Sequence, residues 1–242
     1  MKYKNKISGF LKLIRADKPV GTLLLLWPTL SAFIVLTHGN PNFFLVSLFA
    51  LGTFLMRSAG CVINDYFDME FDGNVERTKD RPLVTGSIKP SEALILFFFL
   101  IFFSGLLLYW MNWLTIKVAA FGLVLATFYP LTKRFFAIPQ FFLGLAFSWG
   151  ILMVSAAELN RINYISIILF ASCLFWILAY DTAYAMSDKE DDLKIGLRSS
   201  ALTFGDKVVH FFICFQILSL AIWSSLGYIL NMHPAFYMSS AL

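Results

Sequence analysis

Two groups of carboxylates set the chemistry open to this chain. The first is Asn64-Asp65-Tyr66-Phe67-Asp68-Met69-Glu70-Phe71-Asp72, and the second runs from Asp181 through Tyr184 and Asp188 to Asp191-Asp192. Asp65, Asp68 and Asp72 fall at i, i+3, i+7, and Asp181, Tyr184, Asp188 and Asp192 at i, i+3, i+7, i+11. Each set is therefore predicted to line one face of a helix. Oxygen donors of high charge, with no Cys or His among them, suit Mg²⁺ rather than zinc or copper. Magnesium takes one or two carboxylates together with phosphate oxygens. Asn64, Asp65, Asp68 and Asp72 set against Asp188, Asp191 and Asp192 would thus suit metal ions bridging to a diphosphate. The polar segments also hold Arg77, Lys79, Arg81, Lys133, Arg134, Lys194 and Arg198. These cations would meet phosphate oxygens, Arg by bidentate pairing and Lys as a point charge.

The elements that must position these groups are membrane helices. Of the 242 residues, 59% are hydrophobic and only 14% charged, and the mean hydropathy is +0.73. A soluble domain carries about 25% charged residues, so the chain is read as an integral membrane protein. Apolar stretches long enough to cross a bilayer core are expected near residues 20–37, 43–63, 93–112, 114–131, 137–157, 163–186 and 208–230, with a very short turn at Asn112-Trp113. The first is read as a retained span and not a cleaved leader, because its run is long and includes Trp27-Pro28. Each acidic group closes one of these spans and is followed by a basic, Gly-containing segment, a weak echo of two half-bundles facing across a cavity.

Basic residues set the expected orientation. Lys2, Lys4, Lys6, Lys12, Arg15 and Lys18 precede the first span, and the other loops on that side carry all the remaining basic residues except Arg57, Lys117 and Arg161. The positive-inside rule then places the N-terminus and both acidic groups in the cytoplasm, with the protein multi-pass in the cell inner membrane. The net charge of +4 is a topology signal and not a nucleic-acid footprint. Cys61, Cys173 and Cys214 lie far apart within apolar stretches and are expected to be buried thiols, and His38, His210 and His233 are too scattered for a metal centre.

A membrane protein with this inventory and no nucleophile–base pair points to departure of diphosphate from a lipid. Cations and metal would stabilise charge on the leaving group, and apolar spans would shelter an isoprenoid tail and a carbocation-like carbon from water. Arg57 lies seven residues before Asn64, on the same helix face and about 10 Å deeper. An intramembrane arginine needs a partner. Either it anchors Asp65 or a neighbouring helix, or it receives the carboxylate of a small acidic acceptor. Tyr184 is read either as packing or as part of the acidic face.

The strings Arg15-Ala16-Asp17-Lys18-Pro19-Val20-Gly21 through Leu26-Trp27-Pro28-Thr29, Met56-Arg57-Ser58-Ala59-Gly60-Cys61-Val62-Ile63-Asn64-Asp65, Arg81-Pro82-Leu83, Tyr129-Pro130-Leu131-Thr132-Lys133-Arg134 and Ala179-Tyr180-Asp181-Thr182-Ala183-Tyr184-Ala185-Met186-Ser187-Asp188 closely resemble the 4-hydroxybenzoate polyprenyltransferases. The NDxxDxxxD motif from Asn64 to Asp72 marks the wider intramembrane aromatic prenyltransferase superfamily. The resemblance covers essentially the whole chain. It implies an all-helical bundle around a lipid-open cavity. The implied activity is Mg²⁺-assisted transfer of a polyprenyl group from its diphosphate to the ring carbon ortho to the hydroxyl of 4-hydroxybenzoate, in ubiquinone biosynthesis. It implies metal–diphosphate binding by Asn64, Asp68, Asp72, Asp188 and Asp192. Diphosphate contacts fall to Arg77, Arg81, Lys133, Arg134 and Lys194, and Asp65, Asp181 and Asp191 belong to the same motifs.

The expectation is one all-α transmembrane prenyltransferase domain over residues 1–242, with about seven spans against nine in the family. On that count the last one or two helices are missing, an eighth span only beginning at Ala235-Phe236-Tyr237. Asp65, Asp181, Tyr184 and Asp191 are placed at the reacting centre, and Arg57 among the substrate-binding residues with Arg77, Arg81, Lys133, Arg134 and Lys194. The alternatives are a prenyltransferase for a naphthoate, homogentisate or haem acceptor, and a cation-coupled transporter. The DGxxAR…GxxxDxxxD pattern of CDP-alcohol phosphotransferases is absent.

Overall fold

The computed structural model describes residues 2–73, 78–132 and 134–240, the side chains of 2–5, 71, 191, 195 and 238–240 excepted. Among the described residues every regular element is helical: α1 (Lys2–Leu13), α2 (Val20–Leu36), α3 (Phe43–Asp72), α4 (Pro90–Leu106), α5 (Trp113–Thr132), α6 (Gln140–Leu159), α7 (Tyr164–Ser187), α8 (Lys189–Ile195), α9 (Ser200–Phe204), α10 (Val208–Ile229) and α11 (Pro234–Ser240). Six stretches are long and apolar enough to cross a membrane, in α3, α4, α5, α6, α7 and the run Ser200–Ile229 that holds α9 and α10. The shorter α2, at 17 residues, occupies the place of the first expected span. One side of it packs inside, contributing Ala32 and Phe33 to the core, while Leu23, Trp27 and Ile34 face outward. The bundle is a multi-pass membrane protein.

Two main hydrophobic clusters hold it together, with a smaller third of Ala185, Ala201 and Val208. Phe33 of α2, Ile151 and Val154 of α6 and Ile177 of α7 pack in one cluster; Leu13 of α1, Val62 of α3, Leu100 of α4 and Ile88 of the preceding loop form the other. Helix α7 packs against both α6 and α10, and α2 lies against α6 and α3. Gly150 lets α2 approach α6, since a Cβ there would meet Thr29 Oγ1 at 2.4 Å. Cys214 sits exposed on α10, unlike the buried Cys61 and Cys173. The apolar surroundings that put all three thiols inside could not tell a lipid-facing position from a packed one, because both are apolar.

Polar side chains fix the turns. Asn160 closes α6 in the left-handed conformation (φ 49°), and the Asn163 side chain caps α7 by accepting from Ser166 N at 2.8 Å. At the other tight turn, Asn112 Oδ1 accepts from Thr115 N at 2.9 Å and its Nδ2 donates to Ala156 O. In mid-bundle the Ser172 and Ser219 hydroxyls each donate to the other's backbone carbonyl at 2.9 Å, joining α7 to α10.

Both acidic segments sit at helix ends, with one correction. Helix α3 runs unbroken for 30 residues, about 45 Å at 1.5 Å per residue against a hydrocarbon core of about 30 Å. Its Asn64–Asp72 end therefore extends past the apolar span as one helical face. The second set does not share a single helix. Helix α7 ends at Ser187, Asp188 takes a non-helical conformation (φ −97°, ψ 3°), and α8 begins at Lys189. The polar, charged run from Asp188 to Asp192 has no apolar stripe to hold it on the axis of α7, so the regular i+7, i+11 spacing is interrupted.

The reciprocal serine pair makes a direct test of the bundle. Replacing Ser172 or Ser219 with Ala should cost about 1 kcal/mol each. The double variant should lose less than the sum, measured by thermal unfolding in detergent, because each single change already breaks the paired arrangement.

Candidate functional site

The polar end of α3 opens into a cavity of about 750 Å³. Its charged wall is made by Arg15, Lys18, Arg57, Asn64, Asp65, Arg81 and Asp181, with Tyr180 and Tyr184 beside them. Away from this end the lining turns apolar, through Leu48, Ile101, Leu108, Met111 and Leu123 among others. The inner members of both acidic segments thus share one chamber: Asn64 and Asp65 from α3, Asp181 and Tyr184 from α7. Tyr184 is 62% exposed and stands edge-on to Tyr180 with ring centroids 6.4 Å apart. It is part of the chamber wall and not of the packed core.

Asp65 is only 1% exposed, a position a carboxylate tolerates only with cations against it. Arg15 Nη2 donates to both its oxygens, at 2.8 and 2.9 Å, and Arg81 Nη1 lies 3.0 Å from Oδ1. The same Arg81 Nη1 reaches Asp72 Oδ2 at 2.5 Å. Arg81 therefore bridges two carboxylates two turns apart on α3 and ties the loop before α4 to them. Thr78 Oγ1 fastens that loop further by donating to Asp72 O. Arg15 follows α1 in a left-handed conformation (φ 58°) and donates also to Lys12 O, which aims its guanidinium at Asp65. Asp72 lies just beyond the apolar span. Burial pushes its carboxyl up from the ordinary value, and the Arg81 guanidinium opposes that shift.

The other site candidates fall in three places. Asn64 Nδ2 donates to Asp68 Oδ2 at 3.1 Å, so an amide and a buried carboxylate stand one turn apart facing the same side. Asp188 and Asp192 are partly exposed at the junction of α7 and α8, and Lys194 is exposed in the last turn of α8. Arg134 donates to Phe67 O at 3.1 Å, bracing the acidic turn of α3 from the loop after α5. Arg77, Lys133 and the side chain of Asp191 lie outside the described residues. Among the described residues no three His, Cys, Asp or Glu side chains converge as metal ligands. Asp65 and Asp72 are held by arginines and Asp68 accepts from Asn64. The donor chemistry nevertheless fits a hard divalent cation. The set is all oxygen, and turning the Asn64 amide presents its carbonyl beside the Asp68 carboxylate.

Arg57 does not reach Asp65. Its guanidinium lies over the Phe147 ring, with Cζ 5.6 Å from the centroid, and its buried Nε finds no hydrogen-bond partner among the described residues. The side chain nonetheless lines the cavity wall. The residues that sequence reading missed are Arg15 and Lys18, which it counted as topology charges although both lie in the Arg15–Gly21 string. Tyr180, one turn before Tyr184, was also passed over.

Comparisons with known proteins identify the fold and the family. The model of the UbiA prenyltransferase family matches residues 25–242. A Neisseria gonorrhoeae protein named 4-hydroxybenzoate octaprenyltransferase is 54% identical over 205 residues, 85% of this chain and 69% of that one. Its namesake from Dechloromonas aromatica is 50% identical over 241 residues, 99% of this chain and 81% of that one. Among solved structures, a UbiA homolog from Aeropyrum pernix superposes with a TM-score of 0.80 at 21% identity, covering 91% of this chain and 83% of that one. A UbiA homolog from Archaeoglobus fulgidus bound to GPP and Mg²⁺ gives 0.77 at 19% identity, covering 96% and 82%. These two share the fold. The chain belongs to the UbiA prenyltransferase family.

Proposed function

We propose that the protein transfers a polyprenyl group from its diphosphate to the ring carbon ortho to the hydroxyl of 4-hydroxybenzoate, at the cytoplasmic side of the inner membrane. The observation that carries this reading is the cavity itself, cationic at one end, apolar beyond, with an arginine of unmet hydrogen-bonding capacity in its wall. The relatives' name and the Mg²⁺–GPP complex of the A. fulgidus homolog support it. A transporter would place its carboxylates at mid-span, whereas here they occupy the end of a helix longer than the bilayer core is thick. The concentration of basic residues on that side supports a cytoplasmic site.

The chain's own residues divide the work. Asn64 and Asp68 of α3, with Asp188 and Asp192 beyond α7, are the residues we assign to hold Mg²⁺, which when bound neutralises charge on the departing diphosphate. Arg81 supplies a fixed cation at the same end. It is held by Asp72 while Arg15 keeps Asp65 neutralised, so a diphosphate can draw on Arg81 without leaving Asp65 bare. The C–O bond of the prenyl diphosphate breaks, the diphosphate leaves with the electron pair, and the ring carbon closes the new C–C bond and sheds its proton. Asp181, the α7 carboxylate in the chamber wall, is assigned that proton. The apolar lining houses the tail and keeps water from the electron-poor carbon. Arg57, about 10 Å from the level of Asn64 along α3, takes the acceptor carboxylate and leaves room for one aromatic ring between the two ends.

Two experiments in membranes with Mg²⁺, prenyl diphosphate and labelled acceptor test this. Asp68→Ala and Asp188→Ala should each lower kcat by at least about 100-fold; product formation that ignores both changes contradicts the reading. Arg57→Ala should remove a charge-assisted pair, raising the acceptor KM by about 100-fold for a loss near 3 kcal/mol, with the KM for prenyl diphosphate unmoved. A loss of affinity shared equally by both substrates contradicts the assignment of Arg57.

A further inference from the structure

Arg57 is not simply present in the wall; it is held in a slot. Its guanidinium carbon lies over the Phe147 ring of α6, 5.6 Å from the centroid. Its Nε–Nη2 edge lies against Gly21 in the first turn of α2. A Cβ placed on Gly21 would stand 2.6 Å from Nη2, 3.0 Å from Nε and 3.2 Å from Cζ of Arg57. Gly21 and Phe147 both line the cavity, so three helices meet at this one cation. Gly21 has a helical backbone and no positive φ that would demand glycine. Conformational freedom therefore does not explain a residue that costs helix stability, and the space taken by the guanidinium does.

We propose that Gly21 is a positioning residue for the acceptor: with Phe147 it fixes the depth at which the Arg57 guanidinium sits, and so sets affinity for an aromatic carboxylate. The inference rests on the reading of Arg57 as the carboxylate receptor. A planar guanidinium forms two parallel hydrogen bonds to a carboxylate only in one plane. Backbone against the Nε–Nη2 edge stops the group from shifting toward α2 and leaves the Nη1–Nη2 end for the carboxylate, and the aromatic face attracts the cation. The atoms that a methyl group on Gly21 would strike are the far end of a flexible side chain. A substitution there displaces Arg57 and leaves the backbone packing of α2 in place.

The test is a set of variants assayed against each substrate separately. Gly21→Ala should raise the KM for 4-hydroxybenzoate by at least about ten-fold and keep the KM for prenyl diphosphate within about two-fold. Its unfolding temperature in detergent should stay that of the parent. In an Arg57→Ala background the Gly21→Ala change should add nothing, because its effect passes through the guanidinium. Phe147→Leu, which keeps bulk and removes the aromatic face, probes the opposite wall and should raise the acceptor KM by about three-fold or more. An unchanged acceptor KM in Gly21→Ala or in Phe147→Leu overturns the proposal, as does an equal effect of Gly21→Ala with and without Arg57. If Arg57→Ala itself leaves the acceptor KM unchanged, the carboxylate reading fails together with it. If Arg57→Ala raises it and Gly21→Ala does not, only the role of Gly21 falls.

Discussion

A carboxylate with 1% exposure at the end of a membrane helix is the constraint around which the polar half of this protein is organised. Asp65 cannot stay ionised there alone, and the cost of desolvating it is met by two arginines from opposite directions in sequence. Arg15 comes from the segment linking α1 to α2, and Arg81 from the loop between α3 and α4. Because Arg81 also holds Asp72, one ion cluster fixes the entry to α2, the last two turns of α3 and the loop before α4. These are the elements that bound the charged end of the cavity. Beside this cluster Asn64 and Asp68 face one another, joined by the hydrogen bond from the Asn64 amide.

The charged end is only useful because the rest of the chamber is dry and deep. The apolar lining extends from α3 to the far turn at Met111, so a lipid tail and a charged leaving group can be held by one cavity. Arg57 lies between these regimes. Its guanidinium rests on Phe147, and an aromatic face compensates a cation without supplying the hydrogen bonds that a carboxylate would. This explains how a cation can stand in the wall of an apolar bundle and still be available to a ligand.

Much of this was legible in the sequence, for identifiable reasons. Hydropathy placed the spans to within a few residues, because crossing a bilayer demands long apolar runs whatever the partners. The Asn64–Asp72 spacing gave a helical face, since a period of 3.6 residues is local. The pairing of Asp65 with Arg15, fifty residues earlier, was not legible. Arg15 looks like any basic residue flanking a first span, and only tertiary packing brings it over α3. The break at Asp188 was hidden by a regular spacing that spans two helices. The slot at Arg57 was equally invisible, because it joins Gly21, Arg57 and Phe147 from three helices with no common period. Sequence reading left Asp65, a neighbouring helix and an acceptor carboxylate open as partners for Arg57; the geometry removes Asp65 and seats the side chain against Phe147 of α6.

The account stands on the claim that one chamber holds diphosphate and acceptor together, the first at the acidic ends of α3 and α7 and the second at Arg57. Anomalous scattering from crystals grown with Mn²⁺, a thio-substituted prenyl diphosphate that cannot ionise, and 4-bromo- or 4-hydroxybenzoate tests it most directly. The account predicts Mn²⁺ between the Asn64–Asp68 turn and the Asp188–Asp192 segment, with the acceptor carboxylate on the Arg57 guanidinium. Metal bound away from both acidic segments, or a carboxylate seated on a cation other than Arg57, would contradict it.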